Sequence, residues 1–444
     1  MTVLTFMIVL TFLASSMVAP AAPTIDAEFN NKSSILSSFI TTIFTLGYMI
    51  GPLVLAPLSE MYGRLLLVLC SNILFTLSHV GAALAPNIGQ LLAFRLLSGI
   101  GASPGLSVGS GVIADLFDVH ERGVANAVLT FASVLGPVLG PIIGGVITQR
   151  ASWRWIFWVL TIACGTVTVI MGFFMQETNA PVIINGKTKR LRKELGRQGL
   201  QSVYDIDEKS KRPTSMKDVF VRGLFRPWKM FFRSPILVIF CIIVGFTSGL
   251  LYILLTTTSS FFQDVYGWPL ETSGLAYLGL GTGSLIGLIL FAKTSDLITV
   301  RLTKANNSIY QPEMRLITAF LPALFTPITF FWYGWSTETK THWIVPLISL
   351  APFGFSQIGL NATAQAYLID ASGPYAASSI ACVTAVRCLC GAFLPLAGPS
   401  LYETLGLGWG NSLLGFVSLA MMPFPLLLYR YGRRLRERYP LTSA

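Results

Sequence analysis

The sequence predicts an all-helical integral membrane protein of twelve spans, built as two similar six-helix halves. Composition, the spacing of apolar runs and a faint internal repeat carry that expectation. Of the 444 residues, 53% are hydrophobic and 11% charged, with a mean hydropathy of +0.66. A soluble domain carries about 25% charged residues, so this chain cannot cover a soluble surface. A membrane helix takes roughly 20 apolar residues, and twelve would use about 240, close to the hydrophobic share. Gly47, Gly51, Ser59 and Glu60 recur 236 positions later as Gly283, Gly287, Ser295 and Asp296. Asp115 meets Asp370 after 255 positions, and Trp153 meets Trp409 after 256. Two related halves imply a transporter with a central site at their interface.

The apolar runs read at 2–22, 34–56, 65–85, 90–114, 123–147 and 154–175, then at 235–261, 271–292, 314–335, 343–368, 375–400 and 408–429. This divides the chain into a first bundle (1–175), a polar central loop (176–234), a second bundle (235–430) and a basic tail (431–444). The first run has an apolar core followed by small residues, as a signal peptide does. No basic residue precedes it, however, and its removal would put the termini on opposite sides. It therefore reads as an uncleaved first span, and a cytoplasmic tail ahead of it stays open. The insert, with KTKRLRKELGR at 187–197, reads as a partly helical, solvated linker on the membrane surface.

Charge orients these spans. Of 31 Lys and Arg, 25 fall in the insert, the tail and the even-numbered loops, against four (Lys32, Arg150, Arg154, Lys340) in the odd-numbered loops. The positive-inside rule makes the insert and both termini cytoplasmic. That placement accounts for the net charge of +11 without a nucleic-acid partner. The six cysteines sit in apolar runs with no metal-ligand company and read as small core residues. No metal, cofactor or enzymatic activity is expected. GLSVG at 105–109 imitates a hydrolase elbow, but Ser107 lies in an apolar helix rather than after a strand.

Chemistry begins at GPLVLAPLSEMYGR, 51–64, between the second and third runs. Gly51, Pro57 and Gly63 allow close helix approach and a tight turn. Glu60 and Arg64 are four apart and can pair with each other or with a neighbouring helix end. A charge pair at such a junction can form in one conformation and break in the other, as a gate requires. Asp115, Arg122, Asp296 and Asp370 join them as gate candidates at the same face. In the fifth run Gly136, Gly140 and Gly144 form a small-residue face, while Pro137 and Pro141 can kink the helix. Tight packing alone would explain them equally well.

The 51–64 segment resembles the loop signature of the major facilitator superfamily, in the form carried by fungal drug:proton antiporters. RLLSGIGASPGLSVGSGVIADLF (95–117) and ERGVANA (121–127) are similar to its fourth-span motif and sequel. LGPVLGPIIGGVI (135–147), which includes Gly145, resembles its antiporter motif, and WRWIFW (153–158) and ETNAPVIINGKTKRLRKELG (177–196) continue the likeness. So do PEMRL (312–316), YLIDASGPYAAS (367–378) and LGLGWGNSLLGF (405–416). The resemblance implies antiport rather than symport, and a cavity lined by spans one, four, seven and ten. Cavity candidates are then Phe246, Tyr252, Thr256, Phe353, Gln357, Asn361, Gln365 and Tyr367.

Two arginines, Arg95 and Arg387, lie inside spans, where a charge is costly and usually functional. A partner is expected for each, unless Arg95 snorkels to the interface. No acid lies well inside span one or seven, so candidates for proton coupling are Arg95, Arg387, Asp115, Asp370, Glu60, Asp26 and Glu28. The expected function is proton-driven export of drugs, toxins, secondary metabolites or polyamines, with the proton gradient as energy source. The expected partners are a small amphipathic or cationic substrate, protons and the bilayer, for a monomer in the plasma membrane or, alternatively, the vacuolar membrane. The rivals are a nutrient symporter or facilitator of the same fold, and a transporter-like sensor that moves nothing.

Overall fold

The computed structural model describes residues 2–107, 109–116, 122–196, 202 and 216–439. All regular structure among them is helical. The long segments are α1 (Thr2–Ser16), α2 (Ser34–Tyr62), α3 (Arg64–Ala83), α4 (Ile88–Ala102), α5 (Arg122–Arg150) and α6 (Trp153–Phe174) in the first half. The second half holds α7 (Pro235–Tyr266), α8 (Leu278–Ala305), α9 (Ile317–Glu338), α10 (Ala351–Ser372), α11 (Ala376–Phe393) and α12 (Gly398–Met421). Ten helical runs among the described residues are long and apolar enough to cross a membrane. One of these, Ala376–Arg438, holds both α11 and α12. The shorter α4 is carried on by Pro104–Ser107 and Gly109–Leu116, which completes the twelve.

Local chemistry sets the breaks. Asn87 caps α4 through Oδ1, which accepts from the Gln90 N–H at 2.9 Å. Gly63, at φ 98°, joins α2 to α3 with no loop between them. Glu60 and Arg64 therefore stand on different helices, and pairing along one helix is not available to them. Gly406, at φ 73°, divides the α12 segment: its first turns prolong α11 and the remainder reverses. α1 stops at Ser16 because Pro20 has no N–H to offer the Ser16 carbonyl.

The internal repeat is a repeat of helix contacts. A Cβ on Gly47 of α2 would lie 2.2 Å from the Leu96 oxygen of α4, and one on Gly283 of α8 would lie 1.8 Å from the Ala351 oxygen of α10. Without a hydrophobic drive between helices in lipid, such small residues allow the packing. The likeness fails at the tryptophans: Trp153 is buried, whereas Trp409 is 60% exposed. Cys70 is exposed, so it is not the core residue expected from its apolar run.

The central insert supplies two helices. Ala180–Leu195 has no buried residue, as a solvated linker should. Met216–Arg233 differs: it packs on α2 and α11 at the basic face, buries Met230 beside Ile236 and Phe240, and sets Arg226 4.0 Å from the Tyr375 ring. The strong amphipathic pattern that makes it dock was masked by the charge count. A last helix, Pro423–Arg438, returns to the bundle, where Arg436 pairs with the buried Glu313 at 3.1 Å.

Candidate functional site

Three sets of residues stack through the molecule, beginning at the basic face. Arg64 opens α3 and donates through Nε to Asp115 at the end of the fourth span, at 2.6 Å. Arg315, at the entrance of α9, donates to Asp370 at the end of α10 and lies 3.2 Å from Asp296 of α8. The two arginine–aspartate pairs occupy equivalent places in the two halves. Arg315 entered the sequence reading only as a loop cation, although its place at the start of the ninth span mirrors that of Arg64. Tyr310 also donates to Asp370, and burial followed by that bond pushes the Tyr310 phenol up to about 12.

Glu177 is the residue that the sequence reading missed at this face. Its carboxylate accepts from the backbone N–H groups of Arg64 (2.9 Å) and Leu65 (3.1 Å), capping α3. It also accepts from the Thr178 and Asn179 N–H groups. The signal was present in ETN after the sixth span. The side chains of Pro57, Glu60 and Arg122 lie outside the described residues.

The opposite face joins the two halves. In α5, which runs unbroken through Pro137 and Pro141, two faces serve two neighbours. Gly136, Gly140 and Gly144 meet α1 and the turn after it, where Cβ atoms would lie 2.2, 2.0 and 1.9 Å from Phe12, Ser16 and Met17. Gly145 instead faces the Leu270 oxygen of the second half, at 2.5 Å from a notional Cβ. Gly274 comes as close to Pro141 and Ile142, and Gly281 to Val138. Beyond them Arg150 pairs with Glu271 at 3.0 Å, and Gln149 accepts from the Glu271 N–H at 2.7 Å. Glu28 is committed nearby to Trp153 and Arg154, and Asp26 to Asn31.

At mid-depth the halves meet around two cations. Arg95 is fully buried and does not snorkel. Its guanidinium donates to the carbonyls of Ala14 (2.6 Å), Ser15, Ile40 and Thr41, and lies 5.2 Å from the Phe44 ring. The early end of α1 frees its last-turn carbonyls for this role, with the negative end of the helix dipole behind them. Arg387 of α11 lies within electrostatic reach of Tyr48 of α2 and Tyr252 of α7, and Tyr252 stands beside Ser15 of α1. Among the described residues, no carboxylate pairs with Arg95 or Arg387: the partner expected for Arg95 is a set of backbone carbonyls, and Arg387 has no ion pair. A cation at mid-bilayer costs about 2.5–3.5 kcal/mol on insertion scales, so its retention marks this centre.

The cavity candidates divide. Asn361 and Gln365 line a narrow cleft with Arg387. Tyr252 stands at the junction of the halves. Phe246 borders a second, small cavity of about 20 Å³ inside the second bundle. Phe353 and Tyr367 are corrections: both are fully buried, packed on Phe330 and Phe240 respectively. Both belong to the helix interior because α10 turns that face towards its own bundle. Thr256 returns its hydroxyl to the Tyr252 and Ile253 carbonyls, and the Gln357 carbonyl accepts from Asn361.

Residues 4–395 match the sequence model of the Major Facilitator Superfamily. The chain is 42% identical over 444 residues to "MFS transporter cpaT" of Aspergillus oryzae, covering all of this chain and 88% of that protein. It is 39% identical over 439 residues to "Efflux pump radE" of Floropilus chiversii, covering 98% and 80%. Among solved structures, that of a D-xylose-proton symporter aligns with a TM-score of 0.72 at 17% identity, over 96% of each chain. The fold, the motifs in their places and these relatives agree: the chain belongs to the Major Facilitator Superfamily, as a multi-pass secondary transporter and not an enzyme.

Proposed function

We propose that the chain is a proton-driven exporter of small amphipathic molecules, drugs or secondary metabolites among them, working by alternating access. The reading places it in the plasma membrane, with termini and central insert in the cytoplasm, as the distribution of basic residues favours. One observation carries it: α5 meets α8 and the turns before it at one face, and α2 meets α11, whereas at the basic face the arginine–aspartate pairs stay within each half and it is the insert helix that touches both α2 and α11. A carrier open to the cytoplasm has this arrangement. In the return stroke the α5–α8 seam parts and the basic face closes, with Arg64–Asp115 and Arg315–Asp370–Asp296 as the gate elements. The family resemblance of the 135–147 motif and the similarity to the efflux pump radE support export.

With no carboxylate at the centre, the proton is assigned to the gate carboxyls Asp115 and Asp370. In the outward-open state a proton that enters through the central cavity reaches one of these pairs and loosens it, and its release to the cytoplasm resets the pair. The test is flux in proteoliposomes carrying an imposed pH gradient, with a panel of fluorescent drugs and labelled organic acids and amines. Gradient-dependent movement towards the acidic side supports the reading. Movement unaffected by a protonophore overturns proton coupling, and accumulation in the other direction overturns export.

A further inference from the structure

We propose that the centre of the molecule binds the carboxylate of an amphipathic organic anion, with Arg387 as its anchor. This deepens the export reading and rests on it, since it names the class of cargo. In the sequence all 20 acidic residues fall at or beyond the ends of the apolar runs, in the insert or in the tail, and none of the described ones lies at the centre. The middle of the bundle therefore holds two guanidinium groups and no negative charge. One of them is already satisfied: Arg95 spends its donors on four backbone carbonyls and the face of Phe44.

Arg387 is not satisfied in this way. Among the described residues it has no ion pair and no backbone carbonyl, and its close neighbour is the weakly polar Cys388 thiol. It opens instead into a narrow cleft between α10 and α11, whose enclosed space of about 10 Å³ admits only the head of a ligand. Asn361, Gln365 and Thr384 are its polar neighbours there, and Leu368 and Val383 are apolar walls. Across the junction, the Tyr48 hydroxyl is buried with no hydrogen-bond partner among the described residues, and it lies within electrostatic reach of Arg387.

These are the parts of an anion site. A guanidinium presents a planar fork that takes both oxygens of a carboxylate. An unpartnered hydroxyl and side-chain amides can add neutral donors. The apolar walls suit the remainder of an amphipathic molecule. A cargo carrying negative charge relieves the uncompensated cation, whereas an amine meets two like charges in a medium of low dielectric. The centre thus favours organic acids over neutral esters, and disfavours polyamines.

The experiment measures binding of tritiated 1-naphthoate to the full chain in phosphatidylcholine nanodiscs at neutral pH. Competitors are its methyl ester and 1-naphthylmethylamine. The acid is expected to bind at least about tenfold more tightly than either competitor, the worth of one charged hydrogen bond. Arg387→Gln should weaken the acid about tenfold and leave the ester unchanged, while Arg387→Lys keeps part of the preference. Thermal unfolding and elution volume establish that each variant is folded. Should Arg387→Gln not fold, Tyr48→Phe, expected to weaken the acid a few-fold and spare the ester, decides in its place. Ester or amine binding as tightly as the acid overturns the proposal. So does unchanged acid affinity in Arg387→Gln, unchanged acid affinity in Tyr48→Phe where that variant decides, or the absence of saturable acid binding. Binding requires no gradient, so failure of proton-coupled flux and failure of the anion preference are read separately.

Discussion

At the scale of single residues, the basic face makes two distinct kinds of claim. Arg64 and Asp115 are both largely covered, at 17% and 24% side-chain exposure, so their pair is less screened than a surface one. As a gate element it is worth a shift of conformational population rather than of folding. Asp115→Asn is expected to slow gradient-driven flux by about tenfold, a change of about 1.4 kcal/mol in the exchange. Adding Arg64→Gln should cost no more, because the partners share one interaction; insertion, read from membrane yield, should stay intact. Additive losses would remove the pair from the mechanism. Glu177 belongs to folding instead. Glu177→Gln removes a charged cap from the start of α3 and should cost about 1 kcal/mol, seen as a lower thermal midpoint in detergent with Glu177→Asp in between. Both aspartates could be found in the sequence through the repeat at 115 and 370. Their arginine partners are separated from them by 51 and 55 positions, and only the bundle brings them together. Arg95 was equally visible, but its acceptors are backbone carbonyls, which no residue pattern displays. Pro20, which ends α1 and so frees Ala14 and Ser15, was the one available clue.

At the scale of helices, α5 shows what glycine spacing does and does not tell. The four-residue period correctly marks a face of close approach, yet it cannot name the neighbour. The period-four glycines serve α1, within their own half, and the residues beside them serve the other half. Substitutions on the two faces should therefore fail differently. Gly140→Leu puts a side chain where the Ser16 hydroxyl stands 2.0 Å from a notional Cβ, and overpacking of this kind costs about 1–3 kcal/mol. It should lower yield and thermal midpoint. Gly274→Leu instead inserts a wedge against Pro141 and Ile142 of the opposite half, 2.6–2.7 Å away. The bundle should still fold, but the seam between the halves should open. In a background lacking the native cysteines, Tyr252→Cys should then react faster with an impermeant maleimide added from the seam side. Equal labelling with and without the wedge would mean that the seam is not a moving contact.

At the scale of the whole molecule, the decisive asymmetry is how the two halves are held together. The seam joins α5 to α8 and the turns leading into it through glycines and one ion pair, Arg150–Glu271. The other ion pairs between two described residues of the bundles lie within one half, and those of the tail stay in the tail or reach the second half. Twelve spans and two related halves were legible because lipid imposes length and apolarity on each run. The seam was not, because the contacts that form it are backbone approaches between segments more than 120 positions apart. Two physical forces therefore act at one place, and salt separates them. Arg150 is 73% exposed and Glu271 29%, so their attraction is worth about 0.2–1 kcal/mol and is screened. Glu271→Lys turns it into repulsion and should favour the open seam by a few-fold at low ionic strength. Near 1 M salt the screening length falls to about 3 Å, and the effect should vanish. The wedge at Gly274 is steric and should keep its effect at both salt concentrations. The same maleimide labelling of Tyr252→Cys reads both variants. If Glu271→Lys opened the seam equally at high salt, the ion pair would be acting through packing, and charge would have no part in holding the halves together.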